Sequence, residues 1–107
     1  LLKPQSRGYV ALRSANPLEQ PLIQPNFLSA EADRRLLLHG MKMAIELAES
    51  SAFATYRHQL MTPPDRLSDE GILEYLYRRL ETVYHPVGTC RMGQDEMAVV
   101  DNQLRVR

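Results

Sequence analysis

Thr82-Val83-Tyr84-His85-Pro86-Val87-Gly88-Thr89-Cys90-Arg91-Met92-Gly93 gathers a dense set of chemically capable side chains, and the chain on either side has to run so as to present them. An imidazole titrates near neutral pH, which makes His85 a candidate general base. Tyr84 and Thr89 bring hydroxyls, Cys90 a thiol and Arg91 a fixed positive charge. Pro86 disfavours the helical region at His85 and pushes it toward an extended backbone. Gly88 and Gly93 allow a turn or a close backbone approach. The stretch therefore reads as a strand end that breaks into a loop at His85. On an extended chain, Val83 shares the side of His85 and Tyr84 points the other way, as packing or support.

Downstream, Gln94-Asp95-Glu96-Met97 is a polar turn, and Ala98-Val99-Val100-Asp101 and Leu104-Arg105-Val106 read as short strands around Asn102-Gln103. Upstream, Ser68 is placed to cap a helix whose first turn carries Asp69 and Glu70. Leu73, Leu76, Tyr77 and Leu80 give its apolar stripe, with Glu74, Arg78 and Arg79 facing away. Gly71 is a weak residue for that first turn. Thr62-Pro63-Pro64-Asp65 before it reads as a loop. A longer helix is expected over 30–50, with Ser29 as N-cap and Glu31 and Asp33 in its first turn. Leu37, Met41, Ala44, Ile45 and Ala48 form one face, and Leu36, Met43 and Leu47 widen it enough for two neighbours. Phe53 and Tyr56 are expected to pack where the chain leaves this helix. His39 and His58 have no partner at metal-ligand spacing and read as surface or structural residues.

At the start of the chain, Tyr9-Val10-Ala11-Leu12-Arg13 reads as a strand and Ser14-Ala15-Asn16-Pro17 as a turn. Pro17, Pro21 and Pro25 keep the next stretch extended around Leu22-Ile23. Short strands alternating with two main helices define an α+β class, with a mainly antiparallel sheet and the helices packed on it.

The chain has 107 residues, which allows one domain with a modest core. It is 44% hydrophobic and 24% charged, and 13 basic residues balance 13 acidic ones. That balance gives no pull toward nucleic acid or an anionic membrane. No run approaches the roughly 18 apolar residues of a membrane span. One cysteine excludes an internal disulfide. Nothing reads as a signal peptide, so a cytoplasmic location is expected, with membrane association of the parent left open. The chain does not begin with Met and stops at Gln103-Leu104-Arg105-Val106-Arg107, an alternating strand-like run, so it is expected to be a piece of something larger.

Val83-Tyr84-His85-Pro86-Val87-Gly88-Thr89-Cys90-Arg91-Met92-Gly93, followed by Val99-Val100-Asp101, resembles the C-terminal signature of the glucose–methanol–choline (GMC) flavoprotein oxidoreductases. Ser6-Arg7-Gly8, Leu12-Arg13-Ser14-Ala15-Asn16-Pro17 and Ile23-Gln24-Pro25-Asn26-Phe27-Leu28-Ser29 resemble the start of that family's C-terminal domain, most closely its choline-dehydrogenase-like branch. The resemblance implies that residues 1–107 are an incomplete substrate-binding domain of a larger two-domain FAD enzyme. Such a parent would oxidise a primary alcohol to an aldehyde by hydride transfer to flavin. His85 would be the catalytic base facing the flavin, with Val83 and Tyr84 bordering the cofactor. The partners implied are the alcohol and the FAD-binding domain of the same parent. The Gly-rich dinucleotide fingerprint is absent from these residues, so the isolated stretch is expected to be inactive. Gly71 departs from the family pattern, where an acidic residue is usual.

Two other classes stay open on the residues themselves. A cofactor-free module could use its sheet for protein contacts and dimerise through an exposed edge near Val106. A thiol–histidine pair of Cys90 and His85 could act as a hydrolase. The resemblance favours Cys90 as a small buried residue instead. Arg91 could serve the cofactor region or an ion pair with Asp95 or Asp101.

Overall fold

The computed structural model describes residues 1–58 and 68–107. The expected loop at Thr62-Pro63-Pro64-Asp65 lies outside the described residues. The elements run β1 (Tyr9–Ala11), β2 (Leu22–Gln24), α1 (Glu31–Glu49), a 3-10 turn (Ser51–Phe53) and α2 (Asp69–Arg79). The class is α+β, as the alternation of elements implies. The chain divides into two compact units: Leu1–Gly8 with Pro25–Leu80, and Tyr9–Gln24 with Glu81–Arg107.

In the first unit, α1 starts one residue later than its sequence suggests. Ala30, not Ser29, is the N-cap, and it offers no side-chain acceptor. Ser29 is spent on a turn, donating its N–H to the Asn26 carbonyl at 3.2 Å, with Asn26 and Leu28 at φ of 51° and 55°. The capping function is supplied from far away in sequence. The Ser6 hydroxyl accepts the Ala30 N–H at 3.0 Å and donates to Asp33 at 2.5 Å. Asp33, only 3% exposed, also accepts the N–H groups of Gln5 at 2.8 Å and Ser6 at 2.7 Å. In a capping box, a side chain at the third helical position reaches back to the N-cap amide. Here Asp33 does so through Ser6. Arg34 closes the turn by donating to the carbonyls of Leu28 at 2.8 Å and Ser29 at 2.9 Å. Asn26 adds a bond from Nδ2 to the Arg7 carbonyl at 3.0 Å.

The other end of α1 is closed by its own continuation. Its last turn carries no basic residue. The 3-10 turn brings Arg57 back, and its Nη1 donates to the Ala48 carbonyl at 2.8 Å. That places a cation on the negative end of the helix dipole. Phe53 and Tyr56 border a recess of about 300 Å³ with Ala44, Leu47, Ala48 and Arg57. Both remain exposed, so the packing expected of them is not made among the described residues. Leu36, Met43 and Leu47 are exposed too, and the second neighbour expected for α1 is not provided among the described residues.

The cap expected for α2 is present: Ser68 Oγ accepts the Gly71 N–H at 3.0 Å, so Gly71 at the third helical position supplies the capped donor. The helix is turned differently from its predicted stripe. Ile72 is 3% exposed and Tyr77 52%. Ile72 lies beside Lys42, Ile45, Glu46 and Glu49 of α1, and Lys42 Nζ meets Asp69 Oδ1 at 2.5 Å. The α1–α2 contact selects the Ile72 side, which leaves Tyr77 outward.

In the second unit, β1 and β2 pair antiparallel, with Tyr9 opposite Gln24, Val10 opposite Ile23 and Ala11 opposite Leu22. The strand is shorter than the expected Tyr9–Arg13, because Arg13 turns aside and its Nε donates to the Gln20 carbonyl at 3.4 Å. The connecting turn is built by Asn16. Its side chain accepts the Leu18 N–H at 3.1 Å and its carbonyl the Glu19 N–H at 3.1 Å. That is the chemistry expected of Asn at a turn.

Ile72→Ala is expected to cost about 2–4 kcal/mol of stability and Tyr77→Ala under about 1 kcal/mol, because only the first empties a packed site. Urea unfolding of both variants measures the difference. Asp33 is held below the ordinary carboxylate range, first by the Gln5 N–H, then by the Ser6 hydroxyl and the Ser6 N–H. A lowered folded-state pKa stabilises above the unfolded pKa of about 3.9 and loses that stabilisation as pH falls through the folded value. Asp33→Asn is therefore expected to be less stable than the parent sequence at pH 7 and to lose less on acidification. Thermal melts from pH 7 to pH 2 read both differences.

Candidate active site

The segment that follows α2 leaves the helix cleanly. Leu80, the C-cap, has ψ of 122° and starts an extended path. No strand forms over residues 81–88. Tyr84 has φ of 62°, in the left-handed region, and its N–H donates to Thr82 Oγ1 at 3.1 Å. The side alternation expected for Val83, Tyr84 and His85 needs extended backbone throughout, and Tyr84 interrupts it. Val83 is 77% and Tyr84 81% exposed, and His85 and Val87 are exposed as well. The segment thus presents an imidazole amid apolar surface rather than burying it. Gly88, at φ of 104°, turns the chain with a conformation that side chains rarely adopt.

Cys90 follows in a turn with Thr89 and is exposed, which corrects its expected burial. A residue at a turn tip has no layer above it to cover its side chain. His39 and His58 are exposed. Among the described residues, no cluster of three or more His, Cys, Asp or Glu could hold a metal ion.

Beyond the turn the chain is braced. Arg91 pairs with Asp95 through two hydrogen bonds, Nη1 to Oδ2 at 2.8 Å and Nη2 to Oδ1. Of the two acids proposed for Arg91, Asp95 is the partner, while Asp101 accepts from Arg105 Nε at 2.8 Å. The guanidinium draws the Asp95 carboxyl down to about 2, assisted by the Met97 N–H. Arg107 adds bonds from its guanidinium to the carbonyls of Gly93 at 3.2 Å and Asp95 at 3.4 Å. Met92 bridges Val100 in parallel and Val100 bridges Val106 antiparallel. The Val106 end, read as a strand with a free edge, is therefore paired on one side. Ala98 is buried. Gly93 sits so tightly that an added Cβ would lie 3.0 Å from Arg91 Nη1 and 3.2 Å from Ala98 Cβ.

Sequence reasoning singled out His85, with Val83 on its side and Tyr84 on the other as packing or support, whereas the structure leaves all three exposed. It missed the Thr82 hydroxyl, although a threonine two residues before an amide is a recognisable local hydrogen-bonding signal. It also missed Arg107, whose partners lie 14 and 12 residues away.

The family model described as GMC oxidoreductase covers residues 4–107, and the chain belongs to that family. It is 42% identical over 107 residues to an alcohol dehydrogenase (acceptor) of Pseudomonas putida, covering 99% of this chain and 19% of that protein. It is 44% identical over 105 residues to an oxygen-dependent choline dehydrogenase of Rhizobium johnstonii, covering 95% of this chain and 19% of that protein. The crystal structure of pyridoxine 4-oxidase from Mesorbium loti superposes with a TM-score of 0.80 at 30% identity, over 96% of this chain and 20% of that one. The chain therefore spans about a fifth of the length of these relatives.

Gly93→Ala is expected to displace the Arg91 guanidinium, so that the Asp95 pKa rises from about 2 toward the ordinary value of about 3.9. A carboxyl-carbon NMR titration of Asp95 reads this directly. An unchanged titration would show that the guanidinium has room to move without releasing its partner.

Proposed function

We propose that this chain is the substrate-side part of a longer FAD-dependent oxidoreductase acting on CH–OH groups, with His85 as the catalytic base. The observation that carries the reading is the exposed Val83-Tyr84-His85 group within a contiguous family signature. An isoalloxazine ring presents a flat, largely apolar face, and Val83 and Tyr84 offer surface of matching character beside the imidazole. When bound, the flavin would accept the hydride from the alcohol carbon.

The part of this chain is proton handling. Oxidation of a primary alcohol breaks one C–H bond and one O–H bond and forms the aldehyde C=O. A neutral His85 imidazole takes the hydroxyl proton, which makes the alkoxide-like oxygen a better source of electrons. Once protonated, the same imidazole donates a hydrogen bond to the forming carbonyl oxygen. Pro86 restricts the backbone at His85, so the ring has fewer directions to sample. The alcohol dehydrogenase and choline dehydrogenase names among the relatives support an alcohol of the choline-like or simple primary type. The remaining partner is the FAD-binding part of the same parent, and this chain alone is inactive.

The test is anaerobic reduction of the bound flavin in the full-length protein, with choline and simple alcohols, before and after His85→Ala. The substitution is expected to slow flavin bleaching by about 10²–10⁴-fold. A full-length protein without flavin would remove the whole reading. A flavin-loaded protein reduced equally fast without His85 would leave the family and remove the base.

A further inference from the structure

Tyr84 is a large aromatic residue in the left-handed region, at φ of 62°. That conformation is normally left to Gly, Asn or Asp, because Cβ crowds the neighbouring carbonyl. Such residues persist only where something nearby over-determines them, and they cluster where a side chain must be aimed. The side chain of Tyr84 is mostly exposed and is not held in a packed layer. Between described residues, the bond from the Tyr84 N–H to Thr82 Oγ1 is the sole hydrogen bond over residues 81–90. His85 follows Tyr84 directly, and Pro86 restricts it from the other side. The direction of the imidazole thus depends on one hydroxyl and one ring.

We propose that Thr82 is a positioning residue for His85: its hydroxyl holds Tyr84 in the left-handed turn that sets the direction of the imidazole. The proposal rests on the reading of His85 as the base. Thr82 does not touch the reacting atoms. It acts by narrowing the backbone states from which His85 can reach the substrate oxygen, and misplacement of a catalytic group by about 1 Å can cost 10²-fold in rate.

The experiment uses the flavin-loaded full-length protein and follows anaerobic flavin reduction over a range of alcohol concentrations. Thr82→Val keeps the shape and removes the acceptor, and Thr82→Ser keeps the acceptor. Thr82→Val is expected to slow reduction at saturating alcohol by about 10- to 100-fold, with the apparent alcohol affinity within about twofold. Thr82→Ser is expected to stay within about threefold of the parent rate. Tyr84→Gly supplies the decisive partner, since glycine adopts the turn unaided. On that background the further change Thr82→Val is expected to cost less than about threefold, which is the signature of coupled residues.

A Thr82→Val protein as fast as the parent overturns the proposal, and so does a Thr82→Ser protein as slow as Thr82→Val. If Thr82→Val fails to retain flavin, Thr82→Ser decides: flavin retention with a rate within about threefold of the parent supports the proposal, and loss of either overturns it. His85→Ala is run alongside. If it is not slowed, the base reading falls and this proposal with it. If it is slowed while Thr82→Val is not, only the positioning role is lost.

Discussion

A carboxylate cannot stay charged out of water unless donors replace the water it loses. Asp33 meets that requirement with three: the N–H groups of Gln5 and Ser6 and the Ser6 hydroxyl. Because the donors come from the N-terminal segment and the carboxylate from the first turn of α1, one group fixes two things. It secures Gln5 and Ser6 against the helix, and it satisfies the start of the helix through Ser6. Among the described residues of this unit, the buried apolar side chains are Leu28 and Ile72. Polar satisfaction at Asp33 therefore carries an unusual share of its definition.

The second unit uses the same kind of solution without burial. Its ladder is made of single bridges at Met92, Val100 and Val106 rather than long strands. Short ladders are marginal alone. The Arg91–Asp95 pair and the reach of Arg107 to two carbonyls hold the turn shut instead. Exposed ion pairs are individually weak, but here they act with Gly93, whose missing Cβ lets Arg91 lie close. The consequence for function is a division of labour. The turn after Cys90 is braced, while the segment carrying His85 is presented outward with a single local hydrogen bond.

Much of this was legible from the chain. The cap at Ser68, the turn at Asn16 and the two helices follow from side-chain oxygens and apolar spacing within a few residues. The contiguous run from Val83 to Gly93 carried the family. Ser29 looked like the cap of α1, but a partner 24 residues from Ala30 took that place. Tyr77 was expected in the apolar stripe of α2, but contact with α1 covers Ile72 instead. Tyr84 looked extended, since nothing in its side chain announces a left-handed backbone, and Cys90 was assigned to an interior it does not enter.

The sequence by itself determined the two helices, the turn at Asn16 and the family. These are set by interactions spanning one helical turn or less, or by a motif whose residues adjoin. The tertiary structure alone decided that Ser6 caps α1, which face of α2 is covered, which acid pairs with Arg91, and how Tyr84 turns ahead of His85. The first two depend on residues brought together from more than a turn away, whose meeting no local pattern encodes. In the last two, several local geometries were compatible with the same residues, and hydrogen bonds to Thr82 and Asp95 mark the one adopted.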